Sequence, residues 1–214
     1  DATNIVVLVG NSPHSPDGED PAWAVGAAHR AAQRLGLPVL AGVQGTRLVL
    51  VVGRASDPRE QASALAECFA DGDVVHGPVV ADLSEGAVSA HAAVAGHIAA
   101  PGWSSRPRPV AADDLLAERA VAGDTLARAA LVDHVAHALE GHPSLLETAR
   151  AFLDSQGLEA TARSLIVHVN TVRYRLGRIS EITGYDLTDP HEAFTVRIAL
   201  TLESIVEDSS IILG

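Results

Sequence analysis

Residues 165–178 read LIVHVNTVRYRLGR. Val172, Leu176 and Ile179 recur at i, i+4 and i+7, the spacing of a buried helical stripe. At about 100° per residue, the opposite side presents Asn170, Tyr174, Gly177 and Arg178, with Thr171 and Arg173 at its flanks. Ile166, Val167 and His168 form a short turn behind a preceding helix over residues 158–165. Ala162 is small where two helices must cross closely, and Leu165 completes the apolar set. Two helices joined by about three residues, the second bearing exposed arginines, form a helix-turn-helix pattern.

Charge sharpens this reading. The chain has 15 basic residues, all arginine, against 27 acids, a formal net charge of -12. Residues 1–110 hold 7 arginines against 11 acids, and residues 111–214 hold 8 against 16. Between Arg163 and Ser180, however, four arginines stand with no acid. Screening limits distant charge to about 8 Å at physiological salt, so a duplex meets this local face first. The side chains suit a major groove: Asn can pair with adenine, Arg with guanine or phosphate, and Thr with either. The rival reading is an ordinary solvated helix, because surface arginines and short-turned helix pairs are common.

The individual residues have alternatives of their own. His168 either caps the second helix or touches phosphate. Tyr174 faces DNA or packs on a neighbouring helix. Arg175 lies nearer the buried side, its stem along the core and its head towards phosphate or an acid. Asn170, in the first turn, is placed to read bases. Arg178, two turns on, is placed to hold phosphate.

Outside this stretch the chain has two textures. The first half alternates strand and helix patterns: a strand over 5–9, a loop over 11–21, a helix over 22–35, strands over 38–41 and 48–52 joined by GVQGTR, a helix from Pro58, a strand over 74–81, and a helix to about Ala99 capped by Ser84. That order predicts an α+β domain of the split βαβ kind over residues 1–100. Residues 101–109, rich in Pro, Ser and Arg, suit a linker, and residues 101–141 read as linker and connecting helices over about 113–119 and 124–139. Residues 142–206 read as an all-helical domain. There Ser144 to Glu147 resembles a capping box, and Asp189-Pro190 opens the last helix as cap and first-turn proline. That helix is apolar on two sides, with Val196 and Leu200 on one and Ile198, Leu202 and Ile205 on the other.

Several functions find little support in the residues. Cys68 lies in an apolar helical pattern and reads as a core residue, with no disulfide framework possible from one cysteine. His134 and His137, with His142 beyond, could hold zinc, but no Cys or HExxH accompanies them, so they read as solvated. His91 and His97 carry no assigned role. Gly42 and Gly45 lack the following helix N-terminus that phosphate loops use. No catalytic set, metal or cofactor is expected. No signal peptide and no apolar run of about 20 residues is visible, which makes the cytoplasm the expected location. The first residue is Asp1, so the native protein is expected to extend further.

Residues 158–202, LEATARSLIVHVNTVRYRLGRISEITGYDLTDPHEAFTVRIALTL, resemble the C-terminal helix-turn-helix domain of the PucR family of bacterial transcriptional regulators. Thr161, Ala162, Leu165, Val167, His168, Asn170, Thr171, Val172, Tyr174, Arg175 and Leu176 match its core pattern, as does Asp186-Leu-Thr-Asp189-Pro190. Ile166 departs from it, standing where an aromatic residue is frequent. ADDLLAERAVAGD, residues 112–124, resembles the segment just upstream in actinobacterial members. The first half more weakly resembles the GGDEF-like domain that precedes this helix-turn-helix. Its hairpin, Gly42 to Arg47, carries none of the acids that hold a cyclase's metal, so the resemblance implies a degenerate, non-catalytic module for dimerisation or sensing. It also implies double-stranded DNA as partner, a homodimer, and a small-molecule effector of unknown identity. Family members govern purine catabolism, sugar-acid use and fatty acid or polyketide synthesis, and the actinobacterial look favours the last.

Overall fold

A computed structural model describes residues 3–14, 21–155 and 157–213, with side chains through residue 205. The chain divides into two compact units, residues 1–122 and 123–214.

The first unit is built on a five-stranded sheet in the order β2-β3-β1-β4-β5. Its elements are β1 (Val6–Asn11), α1 (Pro21–Arg34), β2 (Val39–Gln44), β3 (Arg47–Val52), α2 (Pro58–Leu65), β4 (Val74–His76), α3 (Gly86–Ala99), β5 (Val110–Ala111) and α4 (Leu116–Val121). The strand β1 pairs antiparallel with both β3 and β4, as the split βαβ order predicts. Because β1 is flanked on both sides, its apolar run is buried throughout. Val6, Leu8, Leu48, Leu50 and Val52 face α1 and α2, whose Ala24, Ala28, Ala32, Ala62 and Leu65 complete that core. Val7 and Val9 face α3 through Ala93.

Three boundaries differ from the sequence reading. The strands of the hairpin run on through GVQGTR, leaving the two-residue turn Gly45-Thr46 between the paired Gln44 and Arg47. Gly45 takes φ 60° there, which a glycine adopts without a Cβ clash. The strand expected over 74–81 stops at His76, because Pro78 has no N–H for a ladder; the chain regains β1 only at Val80, opposite Ile5. Ser84 does not cap α3, which starts at Gly86 with no side-chain cap. Ser84 lies in the 3-10 turn Leu83–Glu85 just before it, and that turn is capped by Asp82, whose carboxylate accepts the Ser84 N–H at 2.8 Å. The loop expected over 11–21 lies largely outside the described residues.

Residues 101–109, set out above as linker, fold back onto the first unit and lead into β5. Here β5 extends β4 in parallel. Both guanidinium nitrogens on one side of Arg106 grip the Asp73 carboxylate, Nη2 at 2.9 Å. Arg108 donates to the carbonyls of Gly72 at 2.7 Å and Ala70 at 3.0 Å. Composition marks such a segment as polar loop. Arginine forks satisfying carbonyls of a distant turn make it part of the unit, which runs to Ala122.

The second unit is helical. It begins with α5 (Thr125–Leu131), whose axis continues through a π turn over Val132–His137 into α6 (Ala138–Glu140). Next come α7 (Pro143–Ser155), α8 (Leu158–Leu165), α9 (Val169–Thr183) and α10 (Pro190–Leu213). Ser144 is not a cap, since α7 already begins at Pro143 and the carbonyl of His142 accepts the Leu145 and Leu146 N–H groups. Proline's fixed φ suits a first helical position. At α10 the expected cap is present: the Asp189 carboxylate accepts the N–H groups of His191 and Glu192, each at 2.9 Å. Among the described residues no helix is long and apolar enough to cross a membrane.

Candidate nucleic-acid interface

The paired helices α8 and α9 meet at a turn made by a left-handed residue. Ile166 takes φ 55°, ψ 44°. The N–H of Ile166 bonds the Arg163 carbonyl at 3.3 Å and that of Val167 bonds the Ala162 carbonyl at 3.0 Å. This is the Schellman arrangement, which usually places glycine where Ile166 stands. The Ile166 side chain is 92% exposed, so its departure from the family's aromatic leaves core packing untouched.

His168 then caps α9. Its Nδ1 accepts the Asn170 N–H at 3.1 Å. An accepting Nδ1 on a neutral ring leaves the proton on Nε2, as a donor. Capping, one of the two alternatives for this residue, is thus present in the structure.

The stripe of α9 is inside as expected: Val172, Leu176 and Ile179 are buried, and Ala162 of α8 is buried against them. Leu165, counted with that core, is only half-buried, at the last turn of α8. The outward side carries exposed Asn170, Arg173, Tyr174, Gly177 and Arg178. Tyr174 is 69% exposed, which places it on the solvent side of its two alternatives. Thr171 is half-buried at the flank.

The four arginines of this stretch differ in what they touch. Arg173 Nη1 donates to Asn170 Oδ1 at 2.7 Å, one turn back on the same face. Arg175 turns inward and donates to Thr148 Oγ1 of α7 at 3.1 Å. Its head is therefore held by a neighbouring helix, neither by an acid nor on the outward face. Arg178 pairs with Glu181 one turn on. Arg163 is exposed on α8. Glu181 and Thr148 escaped the sequence reading. The i, i+3 spacing of Arg178 and Glu181 was a signal for the first; 27 residues separate Arg175 from Thr148, and nothing local signals that bond.

Residues 145–202 match the family described as the PucR C-terminal helix-turn-helix domain. The crystal structure of a regulator of polyketide synthase expression from Bifidobacterium adolescentis is similar to this chain over its whole fold. Its TM-score is 0.81 and its identity 32%, over 95% of this chain and 81% of that one. This chain belongs to the PucR family of bacterial transcriptional regulators.

Among PucR-type relatives, the purine catabolism regulatory protein of Bacillus subtilis is 38% identical over 64 residues, 29% of this chain and 12% of that protein. An uncharacterised protein of Mycobacterium tuberculosis is 42% identical over 206 residues, 92% of this chain and 49% of that protein. The chain thus spans about half the length of this last relative. The long match, over 92% of this chain, takes in the sheet as well as the helices.

The first unit has a cleft of about 460 Å³ at the end of β1 and the hairpin tip. Asn11, Ser12, His14, Thr46 and Asp71 supply its polar lining. Among the described residues Asp71 is the one acid in that lining.

Proposed function

We propose that this chain is the DNA-binding and dimerising part of a cytoplasmic transcriptional regulator. It recognises a specific double-stranded site as a homodimer and needs no cofactor. The observation that carries this is the division of α9: Val172, Leu176 and Ile179 inward, Asn170, Arg173, Tyr174 and Arg178 outward. Any solvated helix carries polar residues opposite its stripe; what sets this face apart is four arginines with no acid between Arg163 and Ser180 in a chain of net charge -12.

In this reading Asn170 and Thr171 meet base edges in the first turn. Arg173 steadies Asn170 or joins it at a guanine. Tyr174 and Arg178 lie along the backbone, with His168 Nε2–H and Arg163 reaching phosphates near the start. Arg175 acts through Thr148, orienting the helix. A single helix-turn-helix reads few base pairs, and two half-sites about 34 Å apart give the usual specific affinity. The similarity to a regulator of polyketide synthase expression supports lipid or polyketide genes as targets. The first unit serves dimerisation or effector sensing, with the cleft beside the hairpin as the effector's place.

The test is a footprint on DNA upstream of the neighbouring operon, followed by titration of that duplex and a scrambled one. Equal affinity for the two at 150 mM salt would overturn the specific reading. Two rival readings are a nucleotide-cyclase-like enzyme with a helical tail and an interaction module that does not bind DNA. For the first, incubation with GTP and Mg²⁺ is expected to yield no cyclic dinucleotide, and turnover above a protein-free control would restore it.

A further inference from the structure

The two edges of the sheet are unlike. One ends on β5, two residues long. The other is β2, six residues that carry no charge and no proline and pair with β3 without a bulge. Soluble proteins protect such edges with charges, prolines, bulges or short strands, because an unpaired row of N–H and C=O groups templates another strand. β2 has none of these protections.

The hydrogen-bonding phase of β2 follows from one bond. Gly53 donates to the Pro38 carbonyl at 2.9 Å. In an antiparallel ladder bonded and non-bonded pairs alternate, so Leu40, Gly42 and Gln44 bond inward to β3. Val39, Ala41 and Val43 turn their backbone groups outward. These three are spaced symmetrically about Ala41.

The side chains carry the argument further. On the face away from α1, Leu40 is 63% exposed. Two residues on, Gly42 sits mid-strand without a left-handed φ, and a Cβ there would meet nothing within 4 Å. Glycine weakens a strand interior and commonly marks close approach by another backbone. Among the described residues nothing fills the space a Cβ at Gly42 would take.

We propose that β2 is a homodimer interface, pairing antiparallel with β2 of a second copy about a two-fold axis through Ala41. In that register Val39 lies opposite Val43 of the other copy, and Ala41 opposite Ala41. All six outward backbone groups of each strand are then satisfied. Leu40 lies opposite Gly42 of the other copy, twice, so each exposed leucine covers the space the glycine leaves open. The same patch meets itself, as a two-fold interface requires, and it is uncharged in a chain whose net charge of -12 repels a second copy elsewhere. An unrelated strand would match the backbone but not the leucine-glycine reciprocity. The proposal deepens the dimeric reading above by naming its surface.

Sedimentation of the full chain at micromolar concentration tests it. Leu40→Lys and Gly42→Glu are each expected to raise the dimer dissociation constant roughly tenfold or more, since each sets a lone charge against an apolar partner. The double variant places Lys opposite Glu twice and is expected to recover most of the loss. Ala41→Pro gives a separate measure: its N–H makes no bond to β3, so the monomer tolerates it, whereas the dimer loses two bonds at its axis. Circular dichroism confirms that each variant is folded. A monomeric parent chain would overturn both this surface and the dimeric reading. A dimer insensitive to all the variants would overturn this surface alone. Loss in both single variants without recovery in the double would overturn the register.

Discussion

Asn170 Oδ1 accepts a hydrogen bond from Arg173 Nη1 at 2.7 Å on the exposed side of α9. The bond occupies one lone pair of the amide oxygen and leaves the other, with both amide protons, facing outward. A bidentate pair with adenine uses one acceptor and one donor of that amide. The arginine therefore orients the asparagine without consuming what it needs.

Asn170→Ala is expected to weaken the specific duplex by about 1–3 kcal/mol and to leave a scrambled duplex nearly unchanged. If the pair works as a unit, Asn170→Ala and Arg173→Ala will be non-additive on the specific site, with an interaction energy of about 0.5–3 kcal/mol. Strict additivity in a double-mutant titration would separate the two residues.

Arg178 is paired with Glu181, so in the proposed complex Glu181 and phosphate compete for its guanidinium. Arg178→Ala is expected to weaken all duplexes alike and to lower the salt slope by about one. Glu181→Gln should do the reverse, strengthening specific and scrambled binding together by removing a like charge from the backbone's path. A change confined to the specific duplex in either variant would assign Arg178 to bases.

Ile166→Gly is expected to stabilise the second unit. A left-handed conformation costs an L-residue about 1–2 kcal/mol, and glycine is spared it. The side chain is 92% exposed, so its removal leaves no cavity. The gain should appear in thermal melts, reduced by the greater freedom of glycine in the unfolded chain. A loss would show that this isoleucine is covered in the working protein.

Ser89 Oγ accepts the N–H of Val7 at 2.9 Å, 82 residues away, where β4 has ended. Ser89→Ala leaves that buried N–H bare and is expected to cost about 1–3 kcal/mol in denaturant melts. Gly77→Ala should cost a similar amount, because its Cβ would sit 2.2 Å from the Ser89 carbonyl oxygen. Overpacking against backbone typically costs about 1–3 kcal/mol.

His97 has both ring nitrogens buried without a hydrogen-bond partner among the described residues. Burial first, and Arg47 second, lower its pKa, against the opposing pull of Asp73. The unfolded chain therefore takes up a proton at a pH where the folded chain refuses it. Above the ordinary histidine value this residue leaves stability unaffected, and as pH falls below that value stability is lost. His97→Leu should remove the loss, so the variant's advantage grows between pH 7 and pH 5. A pH-independent difference in melting would contradict it.

The sequence by itself determined the elements whose cause is local. The stripe Val172, Leu176 and Ile179 is buried because its i, i+4, i+7 spacing leaves an amphipathic helix no other way to dry that face. The split βαβ order was legible in the alternation of short apolar runs with helical spacing, and Asp189-Pro190 marked the start of α10 by capping chemistry alone. Tertiary structure decided what depends on distant partners. Arg106 and Arg108 look like linker residues until the turn at 70–73 supplies a carboxylate and carbonyls, 33 to 38 residues away. Arg175 belongs by sequence to a DNA-facing run, yet Thr148 turns it inward. A long arginine side chain can reach several environments from one backbone position. Periodicity fixes where its Cα stands, and only the packed neighbours decide where its charge goes.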